Sequence, residues 1–114
     1  MLSPSLSVTF ERFDETVTLI RLEGRLDATA APDFQTRLLT AIAEGRTCLA
    51  IDLSKVSFVD STGISALVAS LKAARRAEGD LRLVAPSAQA MKLLKLTTLD
   101  RVFRTSETPD RAWA

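Results

Sequence analysis

The segment that most constrains this chain is Cys48 to Leu53, an apolar run broken only by Asp52. Such a run reads as a central strand covered on both faces, or on one face and by its neighbours. A short stretch downstream lies the strongest amphipathic segment, Ser61 to about Glu78. There Ile64, Leu67, Val68 and Leu71 occupy i, i+3, i+4 and i+7, and Gly79 is placed to end the helix. A buried strand leading into a helix with one apolar stripe needs a sheet with helices laid against it.

The remaining segments fit that plan. Leu6, Val8 and Phe10 alternate with the period of a strand, Asp14-Glu15 supplies a turn, and Val17 to Glu23 reads as a second strand ending at Gly24. A helix is expected from about Thr29 to Glu44, with Pro32 in its first turn, Phe34, Leu38 and Ile42 as its stripe and Gly45 as its stop. Leu81, Leu83 and Ala85 alternate in a short strand. Ser87 then caps a helix with Ala90, Leu93 and Leu94 on its inner face. Val102 to Thr105 reads as an edge strand, and Thr108 starts a last short helix with Pro109 in its first turn and Trp113 near its end. The expected class is α/β, one domain over residues 1–114 with a loose N-terminus at 1–5. Its mixed sheet has four to five strands and is packed with about four helices.

Composition narrows the chemistry. Lys and Arg total 15 against 14 Asp and Glu, a net charge of +1, which gives no electrostatic footprint for nucleic acid. Lys72, Arg75 and Arg76 cluster near a helix end, where they favour the dipole and the solvent. The chain has no histidine, which removes the commonest general base, the usual metal ligand and every Ser-His or Cys-His arrangement. Its one cysteine, Cys48, allows no internal disulfide and no Cys-based metal site, and reads as a small buried hydrophobe. No cofactor, metal or catalytic residue is therefore expected. No apolar run approaches the ~18–20 residues that span a bilayer, and Met1 to Ser5 lacks a signal-peptide pattern. The expected compartment is the cytoplasm.

The informative motif is Asp60-Ser61-Thr62-Gly63, between the central strand and the strongest helix. Asp and Ser are preferred N-caps, and Gly63 could permit close approach of a neighbouring segment. The same place suits a charge switch, because free N–H donors and the helix dipole tolerate an anion. A phosphate on a serine there would gain about 0.3–2 kcal/mol from the dipole. Asp60 would oppose it by repulsion. Residue physics alone leaves the cap and the switch both open.

The sequence resembles the STAS domain family, specifically its anti-sigma factor antagonists. The resemblance rests on Gly24-Arg25-Leu26-Asp27, Ala31-Pro32, Ile51-Asp52-Leu53, Val59-Asp60-Ser61-Thr62-Gly63-Ile64, Leu83-Val84 and the stretch from Leu93 to Phe103. It implies that Ser61 is phosphorylated by a serine-kinase anti-sigma factor and that the unmodified chain binds that partner. It further implies that the phosphorylated chain lets go and that a phosphatase resets it. Asp27, Asp60, Thr62, Gly63 and Ile64 would form the partner-binding rim. Asp27 is equally readable as a turn acid, and Ile64 as the first core residue of its helix. Thr62 could compete with Ser61 for the phosphate. The family also includes accessory subunits of lipid or anion transporters and components of stress-sensing complexes, which need no phosphoswitch. A serine hydrolase is a third reading, but Gly-x-Ser-x-Gly is missing and no histidine could activate the hydroxyl.

Overall fold

The computed structural model describes residues 5–113 and follows the expected order of strands and helices. Strands β1 (Leu6–Arg12) and β2 (Val17–Leu26) form an antiparallel hairpin. Helix α1 (Ala31–Ala43), strand β3 (Cys48–Val59), helix α2 (Ser61–Arg76) and strand β4 (Asp80–Val84) follow. Helix α3 (Ala88–Leu96), a 3-10 turn at Leu99–Arg101, strand β5 (Thr105–Ser106) and helix α4 (Pro109–Ala112) complete the described chain. The sheet order is β1-β2-β3-β4-β5, and every pair after the hairpin is parallel.

Adjacent parallel strands joined by helices place successive right-handed crossovers on one face of the sheet. Leu49, Ile51 and Leu53 of β3 meet Phe34 and Leu38 of α1, Leu67 and Leu71 of α2 and Leu94 of α3 in one continuous core. All but Leu94 come from the two helices and the strand that frame the motif. Emptying any of the fully buried leucines would cost about 2–5 kcal/mol. The opposite face has a smaller cluster of Val17, Leu19, Ala50, Val84 and Ala112, closed by the partly buried Trp113. Asp52, the polar break in the apolar run, lies on that side and pairs with Arg21 at 3.4 Å.

Several boundaries differ from expectation for identifiable reasons. β2 does not stop at Gly24. It passes through that residue at φ +117 with a register shift and continues to Leu26. A side chain at Gly24 would meet the Ser5 carbonyl at 2.2 Å, so only glycine lets the strand continue there. β3 runs on to Val59 rather than ending at Leu53. Its second half pairs with β2 alone, and its exposed Ser54, Lys55 and Ser57 break the apolar pattern. α1 begins at Ala31 because Thr29 is tied into a turn by Asp27. β5 starts at Thr105, and Phe103, 4% exposed, belongs to the core instead. Ser5 is held, with its carbonyl accepting from Arg25 N at 2.8 Å, while residues 1–4 of the expected loose terminus lie outside the described residues.

Candidate functional site

Two loops meet at the end of the sheet where β2 and β3 stop. The β2–α1 loop is shaped by Asp27. Its Oδ1 accepts from Thr29 Oγ1 at 2.7 Å, Thr29 N at 3.1 Å and Ala30 N at 3.3 Å, and Arg25 Nε lies 3.4 Å from Oδ2. These donors, the Thr29 hydroxyl foremost, hold the Asp27 carboxyl below the ordinary carboxylate range. Asp27 thus makes the turn that releases the chain into α1, with its side chain at 19% exposure. Arg25, beside it, also stacks over Phe58 at 4.5 Å from the ring centroid, a cation–π contact between the ends of the two strands.

Asp60 builds the second loop and joins it to the first. As the N-cap of α2, its Oδ1 accepts from Gly63 N at 3.0 Å and from the Thr62 hydroxyl. Its Oδ2 accepts from Ala28 N at 3.2 Å across the gap. The Thr62 hydroxyl first, then the backbone donors, hold this carboxyl down as well, so it stays charged at neutral pH. Asp60 N donates in turn to Leu26 O at 3.2 Å, the last backbone link between β2 and β3.

Ser61 is the first residue of α2 and is exposed. Among the described residues its hydroxyl makes no hydrogen bond, and its carbonyl accepts from Ser65 Oγ. It opens onto a groove of about 460 Å³ between α1 and α2, lined by Ala28, Ala31, Pro32, Gln35 and Leu39 beside it. Thr62 is also exposed, but its hydroxyl is committed to Asp60. Gly63 and Ile64 lie inside. Ile64 is 4% exposed and joins the main core. Gly63 is buried against the end of β2, where a Cβ would come within 2.4 Å of Leu26 O. Of the five residues expected at a rim, Thr62 lines the groove, while Asp27 and Asp60 lie in the two loops beside it with their carboxylates bonded to loop donors. Gly63 and Ile64 hold α2 in place from below.

The sequence did not point to Gln89, Ala28 or the Arg25–Phe58 stack. Gln89 reaches from α3 to Val59, and nothing local signals a partner so distant along the chain.

Over residues 10–112 the sequence matches the family described as the STAS domain. The chain belongs to the STAS domain family. Its relatives include the anti-sigma-B factor antagonist of Listeria monocytogenes, 29% identical over 98 residues and 86% of each chain. That of Staphylococcus epidermidis is 27% identical, over 89% of this chain and 90% of the relative. The crystal structure of an anti-sigma factor antagonist from Mycobacterium paratuberculosis superposes with a TM-score of 0.85 at 27% identity, over 98% of this chain and 94% of that one. The Bacillus cell fate determinant SpoIIAA in its phosphorylated form shares the fold, with a TM-score of 0.75 at 24% identity over 93% of this STAS domain and 96% of that chain. Among the described residues, no helix is long and apolar enough to cross a membrane.

Proposed function

We propose that this STAS domain is an anti-sigma factor antagonist whose hold on a serine-kinase anti-sigma factor is released by phosphorylation of Ser61. The observation that carries this reading is the contrast between two adjacent hydroxyls. Ser61 presents a free one to solvent at the positive end of α2, whereas that of Thr62 is held by Asp60. The free hydroxyl is the one able to attack a γ-phosphate. Its oxygen gains the phosphoryl group, ADP leaves, and its proton passes to a base of the kinase or to water.

The new dianion would stand beside Asp60 and over the groove between α1 and α2. Buried against a docked protein, like charges of this kind cost several kcal/mol. About 2.7 kcal/mol already weakens binding roughly a hundredfold. Asp27, Asp60 and Thr62 supply the surrounding rim, and a phosphatase removes the group to restore binding.

Incubation with the cognate kinase and ATP, followed by intact-mass measurement and site mapping, tests the assignment. One added phosphoryl group on Ser61 is expected. Ser61→Ala should abolish labelling and keep the partner bound, and Ser61→Asp should weaken binding. Labelling that persists in Ser61→Ala overturns the reading.

A further inference from the structure

β3 outruns its neighbour. β4 ends at Val84, paired with Asp52, so Leu53 to Val59 has β2 on one side and no strand on the other. At the far end of this overhang the missing strand is replaced by one side chain. Gln89 Oε1 accepts from Val59 N at 3.0 Å, and its Nε2 donates to Val59 O at 2.7 Å. The side-chain amide thus presents one acceptor and one donor to a single residue, as a neighbouring strand would. Val59 is 1% exposed, and both its backbone groups would otherwise lack a partner on that side.

Gln89 sits in the first turn of α3, where Ser87 Oγ accepts from Ala90 N at 3.1 Å and Ala90 and Leu94 are buried. Its backbone is therefore anchored independently of Val59. The next residues after Val59 are Asp60 and Ser61. On the β2 side, Leu26 O holds Asp60 N, and Ala28 N holds the Asp60 carboxylate. On the α3 side, Gln89 is the hold.

We infer that Gln89 is a positioning residue for the Ser61 switch, its amide clamping Val59 so that Asp60 and Ser61 keep their place at the mouth of α2. The inference rests on the proposed role of Ser61 for its consequence in phosphorylation, but the clamp itself is measurable without any partner. Through it, displacement of α3 is transmitted to the switch serine.

The test uses Gln89→Leu and Gln89→Glu in the full chain. Gln89→Leu keeps the size of the side chain and removes both bonds. Amide exchange at Val59, Asp60 and Gly63, whose N–H groups are bonded, should quicken at least tenfold, with amides in the centre of β3 unchanged. If Ser61 is the acceptor, kcat for its phosphorylation should fall several-fold more than KM rises. Gln89→Glu is the sharper probe. At neutral pH its carboxylate still accepts from Val59 N but sets a lone pair against Val59 O. Protonation restores the donor. Burial and that facing carbonyl both raise the new carboxyl above its ordinary ~4.3. Asp60, which directly follows Val59, is held low and does not titrate in this range. Protection factors at Val59, Asp60 and Gly63 in Gln89→Glu should thus recover between pH 7 and about pH 5, while those of the native chain and Gln89→Leu stay flat. Unchanged protection in Gln89→Leu, or a pH-independent Gln89→Glu, overturns the clamp. Clamp signatures present without labelling at Ser61 would instead defeat the proposed switch and leave the clamp standing.

Discussion

Asp60 serves two loops with one carboxylate, and its substitution by asparagine separates the two tasks. Asparagine caps a helix about as well as aspartate, so the bond to Gly63 N should survive. The second oxygen becomes an NH2 group, which cannot accept from Ala28 N. A hydrogen bond to a charged group is worth about 1.5–3 kcal/mol, and this one is open to solvent, so Asp60→Asn should lower stability by less than that. Urea denaturation checks this, and an unchanged midpoint would mean that the link between the loops contributes nothing. The same residue sets an acid dependence. Its carboxyl is lowered in the folded chain, chiefly by the Thr62 hydroxyl, so the folded state holds the proton more weakly than the unfolded state. Its contribution is complete above the unfolded value of ~3.9 and fades as pH falls through the lower folded value. Thermal melts from pH 7 to about pH 2.5 should show stability falling below about pH 4, and less steeply in Asp60→Asn. Equal slopes in the two proteins would remove Asp60 from the account. Asp27 is lowered too and keeps part of the dependence in the variant.

At the scale of elements, the seat of Ser61 depends on how closely α2 approaches the end of β2. In Gly63→Ala the new methyl would lie 2.4 Å from Leu26 O and 2.8 Å from Leu26 Cγ. That carbonyl is already fixed by Asp60 N, so the helix start must move instead. Overpacking of this kind costs about 1–3 kcal/mol. The variant should unfold at lower urea and be phosphorylated more slowly at Ser61, whereas native stability with an unaltered rate would show that the contact gives way freely. Gly63 was legible as a point of close approach, because a glycine in a first helical turn suggests it. The helices were legible too, since their apolar stripes at Phe34-Leu38-Ile42 and Ile64-Leu67-Leu71 follow from burial on one face. Strand lengths were harder to read. Gly24 looked like a terminator, yet it is the residue that lets β2 pass Ser5 and reach Leu26. The second half of β3 interleaves exposed Ser54, Lys55 and Ser57 with buried Val56 and Val59, so the continuous apolar run stops at Leu53 while the backbone stays paired. α2 likewise ends earlier than Gly79 suggests, with Glu78 taking the left-handed turn at φ 65. The Gln89 contact was beyond reach, as no local periodicity marks a side chain that substitutes for a strand.

For the whole molecule, the decisive relation is between the site and the two cores. The helix-covered core lies beneath α1, α2 and α3. On the other face α4 closes the smaller cluster, where Arg82 stacks on Trp113 at 3.8 Å and donates to Ala112 O at 2.8 Å. Ser61 belongs to neither. It stands outside the end of the sheet, with Ile64 and Gly63 between it and the interior. A phosphate there gains roughly 0.3–2 kcal/mol from the helix dipole. Repulsion from Asp60 works in the opposite direction. The net change is small beside a typical domain stability of about 5–15 kcal/mol. Stoichiometrically phosphorylated protein should therefore melt within about 8 °C of the unmodified chain, since 1 kcal/mol shifts a domain of this size by roughly 4–8 °C. On the same samples, affinity for the proposed kinase partner should fall about a hundredfold or more. Calorimetry and a binding titration run side by side separate the two effects. A melting point lowered much further, in step with loss of the partner, would mean that phosphate releases the complex by unfolding the STAS domain. Ser61 would then act on the core, and its position outside the sheet would have no part in the switch.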